Sequence, residues 1–219
     1  MTQRLLVGAL VVCLGVIARP AATQSLTRLL SCEGPFRPDA SADSLARHFG
    51  PRNVENANID IGEGFRAPGT IIFGASPSDR LEVLWLDPSA RQRPERVTAR
   101  QPTASRTVSH WRTPGGLALG MHLRDVERRN RGPFRLAGFG WDYGGTTISW
   151  DGGRLATEQP PACHMRARFD TGALLTEERQ RWDRQVTGDR EFPSRHAAMQ
   201  ALDPYVSEVW LDYPNAEGR

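Results

Sequence analysis

Cys163-His164-Met165-Arg166-Ala167-Arg168-Phe169 alternates without a break between apolar and polar side chains. A β-strand turns successive side chains to opposite faces, so Cys163, Met165, Ala167 and Phe169 are predicted on a core face and His164, Arg166 and Arg168 on the other. A strand patterned in this way belongs to an antiparallel sheet covered on one side only. On its C-terminal side, Thr176 can cap a charged helix running to Val186, Ser194 begins a second helix ending at Leu202, and 205–213 reads as a closing strand. On its N-terminal side, Asp151-Gly152-Gly153 has the left-handed tolerance of a tight turn, so 146–150 is expected to fold back as a hairpin on 154–157.

Further back, Leu123 and Val126 mark a short helix stopped by Gly132-Pro133, and 134–150 holds two strands around a glycine-rich corner. The same order occurs earlier in the chain. Ser41 can cap a helix through Phe49, with Leu45 and Phe49 on one face and Gly50-Pro51 ending it. Strand-like runs follow at 59–61, 70–73 and 81–86, separated by glycine-rich or Ser-Pro-Ser turns. Residues 35–38 read as a linker, and 87–106 as a connector with an edge strand near Val97. Each Gly-Pro pair follows a short helix and precedes strands ending in tryptophan, at Trp85 and Trp150, which makes a weak internal repeat. The expectation is an α+β fold of two short-helix-plus-antiparallel-sheet units, 24–110 and 111–219, with further C-terminal helices and the closing strand.

Residues 1–23 have a different anatomy: a basic start ending at Arg4, an apolar run over 5–18, and small residues at Ala21 and Ala22. That is the pattern of a secretory signal peptide, and it implies a periplasmic or secreted protein. The run is shorter than the roughly 20 residues a bilayer span needs, so no transmembrane span is expected in the mature chain. Cleavage after Ala18 and cleavage nearer Gln24 both fit. Cys13 lies inside the apolar run behind a valine, where lipoprotein processing takes a small residue. Cys32 and Cys163 remain after cleavage, in a compartment that oxidises thiols, and a structural disulfide between them is predicted over two buried free thiols.

All 28 basic residues are arginine, spread along the chain against 25 acidic ones. This pattern lacks the basic stripe that nucleic acid demands, so nucleic acid is set aside as a partner. His48, His110, His122, His164 and His196 have no ligand spacing, and neither a metal nor a cofactor is expected. Gly74-Ala75-Ser76-Pro77-Ser78 lacks the final glycine of the serine-hydrolase elbow. In Gly138-Phe139-Gly140-Trp141-Asp142-Tyr143-Gly144-Gly145 the third glycine comes one position late for a dinucleotide fingerprint. Asp170-Thr171-Gly172-Ala173 resembles the aspartic-protease signature in a single copy, and is read in preference as an ordinary exit from a strand into a turn.

Aromatic residues are dense in one place: Phe134, Phe139, Trp141, Tyr143 and Trp150 lie close together with Asp142 among them. Aromatic faces beside a carboxylate suit a sugar ring, a peptide or a partner's hot spot, and the same residues also read as core around a bulged corner. Trp141, Asp142, Tyr143 and Trp150 are the candidate contacts. Asp125, Glu127, Asp142 and Asp151 are the acids from which a glycosidase pair, about 5 to 9.5 Å apart, would be drawn.

The segment Gly132-Pro133-Phe134-Arg135-Leu136-Ala137-Gly138-Phe139-Gly140-Trp141-Asp142-Tyr143-Gly144-Gly145 resembles a signature of uncharacterised secreted bacterial proteins of similar length, which carries no assigned activity. At the level of fold, two units of short helix and antiparallel strands resemble envelope-assembly lipoproteins of the small-protein-A type and the secreted β-lactamase-inhibitor proteins. The missing lipobox departs from the former, and the resemblance implies no catalytic residue. The leading expectation is an exported, non-catalytic binding or adaptor protein whose partner is an envelope protein or glycan, met at the Trp141-Asp142-Tyr143 corner. The alternative is a periplasmic hydrolase acting on cell-wall or glycan material through Asp142 and a second acid.

Overall fold

The structure, a computed structural model, describes residues 27–101, 109–157 and 161–214. The expected signal peptide and Cys13 lie outside them. The elements run β1 (Arg28–Leu29), a 3-10 turn (Gly34–Phe36), α1 (Ala42–Phe49), a second 3-10 turn (Pro51–Asn53), β2 (Val54–Gly62), β3 (Phe65–Ile72), β4 (Leu81–Asp87), β5 (Gln92–Arg100), β6 (Trp111–Arg112), α2 (Leu123–Asn130), β7 (Arg135–Ala137), β8 (Thr147–Ser149), α3 (Arg154–Thr157), β9 (His164–Asp170), α4 (Glu177–Gln185), β10 (Glu191–Pro193), α5 (Ala197–Leu202) and β11 (Tyr205–Asp212). The fold is α+β.

β9 is the strand that the alternating stretch predicts: Cys163, Met165, Ala167 and Phe169 are buried, while His164 and Arg166 are exposed. It forms one edge of a six-stranded antiparallel sheet of order β2-β3-β4-β5-β11-β9. Register carries the two-faced pattern from strand to strand. Val83, Val97, Leu211 and Met165 make an inward row, and Glu82, Thr98, Trp210 and Arg166 an outward one. Leu84, Arg96, Asp212 and His164 form the outward row on one side of that, and Arg100, Glu208 and Arg168 the row on its other side.

The inward face meets one hydrophobic core that includes Leu45 of α1, Val126 of α2, Phe134, Leu136 of β7 and Leu202 of α5. α1 and its caps match expectation: the Ser41 hydroxyl accepts from Ser44 N, Ser44 caps back, and Gly50 closes the helix at φ +91°. The disulfide also forms, joining Cys32 to Cys163 with Cα atoms 6.1 Å apart across a sequence separation of 131. It ties the loop after β1 to the start of β9.

Several expectations are corrected. The two halves do not build separate sheets, because β5 of the first pairs with β11 of the second and one core serves both. The supposed connector contains β5, a central strand rather than an edge. Its Pro94 is tolerated because it lies beyond the Arg96–Asp212 end of the β11 ladder, beside a register shift against β4. The 35–38 linker is instead partly a 3-10 turn whose Phe36 is wholly buried, and the Tyr213 hydroxyl donates to the Phe36 carbonyl oxygen. β11 does not close the sheet but lies between β5 and β9, its long-range partners being invisible to a local reading.

The hairpin of 146–150 on 154–157 is overturned as well. Residues 154–157 form α3, and β8 pairs with β7 in a small sheet of order β10-β7-β8. Asn130 decides this: its side-chain oxygen accepts from Leu155 N at 3.0 Å, and its amide donates to the Trp150 carbonyl at 3.0 Å. Ser194 starts no helix. His196 caps α5, while buried Ser194 accepts from Phe134 N and donates to Glu127.

Candidate interaction face

The glycine-rich corner is a loop pinned at its base and free at its tip. A β-carbon on Gly138 would lie 2.5 Å from the Gly188 carbonyl oxygen, and one on Gly145 2.2 Å from the Phe169 carbonyl oxygen, so only glycine lets these backbones meet. Phe139 N donates to Val186 O, Gly188 N to Phe139 O, and Phe169 N to Gly145 O. Buried Phe139 faces the core between these anchors. The glycines of the motif therefore serve backbone packing, not phosphate binding.

What the anchors hold out is Trp141-Asp142-Tyr143. The Trp141 indole donates to Gly138 O at 2.8 Å, and its ring meets Tyr143 edge to face at 5.5 Å. Tyr143 is 68% exposed and Asp142 is exposed too, while Trp141 is half-buried, so the tip is surface rather than core. Trp150 does not join them. It is buried, tilted against Phe134 at 5.4 Å, with its indole donating to Met165 O, so it is a core residue and not a contact.

The loop stands beside the outward face of the large sheet. Thr146 bridges to Arg168, and Arg168 Nε donates to Gly144 O at 3.0 Å, fixing the loop along the β9 edge. At the opposite edge, the β2–β3 hairpin exposes Ile61 by 51% and Phe65 by 64%. Both walls border one open depression of about 790 Å³, whose floor is the sheet. A larger groove of about 1320 Å³ lies on the other side of Trp141, between the loop and the ends of β9 and β11.

The floor divides in two. Towards β2 it is mixed, with Ile59 lying over Gly69 and Leu84 in the neighbouring row, beside the carboxylates of Asp60, Glu63 and Glu82. Towards β9 it is a charge lattice. Asp212 accepts from Arg96 Nε at 2.7 Å and lies 3.4 Å from Arg166 Nε. Glu208 is placed likewise between Arg100 Nε at 3.5 Å and Arg168 Nη1 at 3.9 Å. Trp210 sits among them, its indole donating to Asp212, with the Arg96 guanidinium 5.5 Å from its ring centre.

The apolar and charged floor was missed by sequence reasoning. The β9 arginines were visible as an outward row, but Arg96, Arg100, Glu208 and Asp212 join them only through strand pairing across the chain. The acids weighed for hydrolysis are dispersed. Glu127 is held by Ser194 and Gln200, Asp125 by Arg128, and Asp151 faces Arg135 at 3.5 Å, whereas Asp142 opens onto the sheet face. Asp170 accepts from Gly172 N at 2.7 Å, the local turn that explains the Asp-Thr-Gly sequence. Among the described residues no group of His, Cys, Asp or Glu side chains is placed to hold a metal, and no helix is long and apolar enough to cross a membrane.

No protein-family model, curated protein or solved structure matches the chain.

Proposed function

We propose that this is an exported binding or adaptor module that docks a partner on the outward face of its six-stranded sheet, between the Trp141-Asp142-Tyr143 loop and the β2–β3 hairpin tip. The observation that carries the reading is the pair of exposed walls on one depression: Tyr143 on one side, Ile61 and Phe65 on the other. Large apolar side chains held out by a rigid frame are costly to leave in water and are the usual anchors of protein interfaces. The loop is such a frame, since its glycines and Arg168 fix its base while Asp142 and Tyr143 stand exposed at its tip. Export is supported by the N-terminal pattern of residues 1–23 and by the Cys32–Cys163 bridge, a bond that persists in oxidising compartments.

The test is photocrosslinking in intact cells from three positions: Tyr143, Phe65 and, as a control on α1 behind the sheet, Asp43. Capture of the same envelope component from Tyr143 and Phe65 but not from Asp43 supports docking on this face. Capture from Asp43 alone, or from none of the three, sinks it.

A further inference from the structure

We infer that two copies of this chain pair edge to edge through β2, antiparallel about a two-fold axis at Ala57, so that their six-stranded sheets join into one. The two edges of the sheet are finished differently. Along β9 the outer backbone is taken up: Phe169 N donates to Gly145 O, Ala167 N to the Thr147 hydroxyl, and the Trp150 indole to Met165 O. At the opposite edge β2 runs for nine residues, Val54–Gly62, with β3 as its one strand neighbour.

One bond fixes which backbone groups of β2 face outward. Phe73 N donates to Asn53 O at 2.7 Å, one step beyond the Val54–Ile72 pair of the β2–β3 register. Bonded and non-bonded pairs alternate in an antiparallel ladder, so Glu55, Ala57 and Ile59 bond to β3, while Val54, Asn56, Asn58 and Asp60 turn their N–H and C=O groups away. Among the described residues no backbone hydrogen bond reaches these outward groups. The devices that blunt an exposed edge are missing too: 54–62 contains no proline, lysine or arginine, and its bulge comes only between Asp60 and Gly62.

The strand's own pattern selects a second copy. Antiparallel pairing about Ala57 sets Asn56 against Asn58 of the second copy and Val54 against its Asp60, so every outward residue meets another outward residue. No other two-fold register matches them all. Ala57, a small side chain, falls on the axis, where opposing Cα atoms of a non-bonded pair approach to about 4.5 Å. Asn56 and Asn58 are exposed, and their amides can bond across the join. Charge agrees with this direction. Exposed Arg52 stands just before the strand, and exposed Asp60 and Glu63 stand at its end, offset only in part by Arg66 opposite Asp60. Antiparallel pairing lays the basic end of each copy on the acidic end of the other. Glu55 leans back across β3 toward Gly74 and stays off the join. An axis normal to the sheet keeps both outward faces on one side, so the dimer presents two docking faces together.

Sedimentation equilibrium of the disulfide-intact protein over a dilution series, beside its circular dichroism and melting point, tests the pairing. The wild type is expected to be a dimer that dissociates on dilution. Asn58→Pro should be a monomer with the wild-type spectrum, because the ring removes an outward N–H and no bond to β3. Should that variant unfold, the charged ends carry the test: Arg52→Glu and Glu63→Arg should each weaken the dimer about tenfold, and the two together should restore it. Under oxidation Ala57→Cys should link the copies through a disulfide, whereas Glu55→Cys, set opposite Ile59, should not. A wild type that is monomeric throughout the series overturns the inference. So does a dimer that the Asn58, Arg52 and Glu63 variants leave intact. Loss of the dimer in Tyr143→Ser overturns it as well, because the join would then lie on the aromatic loop and not on β2.

Discussion

Gly145 and Phe169 are in backbone contact: Phe169 N donates to Gly145 O at 2.9 Å, and a β-carbon on Gly145 would stand 2.2 Å from Phe169 O. This contact sets the aromatic loop against the β9 edge, and it is the reason the motif ends in glycine. Gly145 is also at φ +74°, so a side chain there is strained twice over. Gly145→Ala is expected to destabilise the protein by about 3 kcal/mol in urea unfolding, combining overpacking with the backbone cost. Gly152 is the comparison, at φ +70° with open space around it, and Gly152→Ala should cost only about 1 kcal/mol. Equal effects at the two positions would remove the close-approach argument.

The aromatic cluster separates into surface and core under substitution. Tyr143→Ser, at an exposed site, should leave unfolding free energy within about 0.5 kcal/mol of wild type. Trp150→Ala should cost about 4 kcal/mol, because it empties a buried site against Phe134 and removes the indole's hydrogen bond to Met165 O. Thermal or urea unfolding of the two variants side by side reads the difference.

Asn130 is a fully buried side chain that holds three backbone segments together. Its amide donates to the carbonyls of Gly132, Pro133 and Trp150, and its oxygen accepts from Leu155 N. Asn130→Ala should cost about 3 kcal/mol by leaving Leu155 N and these carbonyls without a partner. Amide exchange at Leu155, followed by NMR, should rise in the variant; unchanged protection there would count against the role assigned to Asn130.

The Cys32–Cys163 bridge closes most of the described chain into one loop. On the chain-entropy account it contributes about 4 to 5 kcal/mol. Unfolding with and without reductant should show a loss of that order, and alkylation without reduction should label neither cysteine.

Asp79 provides a pH signature. Burial pushes its carboxyl pKa up, but hydrogen bonds from the Ser76 hydroxyl, His110 and Arg28, with the Arg28 charge, outweigh burial and bring it below its ordinary value. A depressed folded pKa means stability that is complete above the unfolded value and is lost as pH falls through the folded one. The loss therefore begins below about pH 4. Asp79→Asn should flatten the acid limb of the stability profile without removing it, since Asp87 is lowered too, by Ala90 N and Ser89. An acid limb identical to that of wild type would contradict the network.

Local chemistry was legible wherever a residue's conformation depends on its close neighbours. Ser41 with Gly50 delimited α1, Thr176 began α4, and the alternation through Arg166 predicted both faces of β9. Arg131 shows the limit of such signals: it takes the left-handed cap of α2 at φ +59°, where Gly132 was the natural stop. The charged, mostly exposed Gln-Arg-Pro-Glu-Arg stretch of β5 read as connector because strand propensity is weak there, and its pairing with β4 and β11 overrides that.

By itself the sequence determined the α+β class, the two-sided strand, the bridge between Cys32 and Cys163, and the glycine-framed aromatic corner, because each follows from side-chain period, turn chemistry or cysteine count. Only the tertiary structure decided that β11 enters between β5 and β9, that Trp150 turns inward while Tyr143 stays in water, and that arginines some 70 residues apart line one face. The physical reason is that these outcomes depend on which distant backbone fills a strand's free hydrogen-bonding edge. That choice is made by the whole core at once, and no local run of residues encodes it.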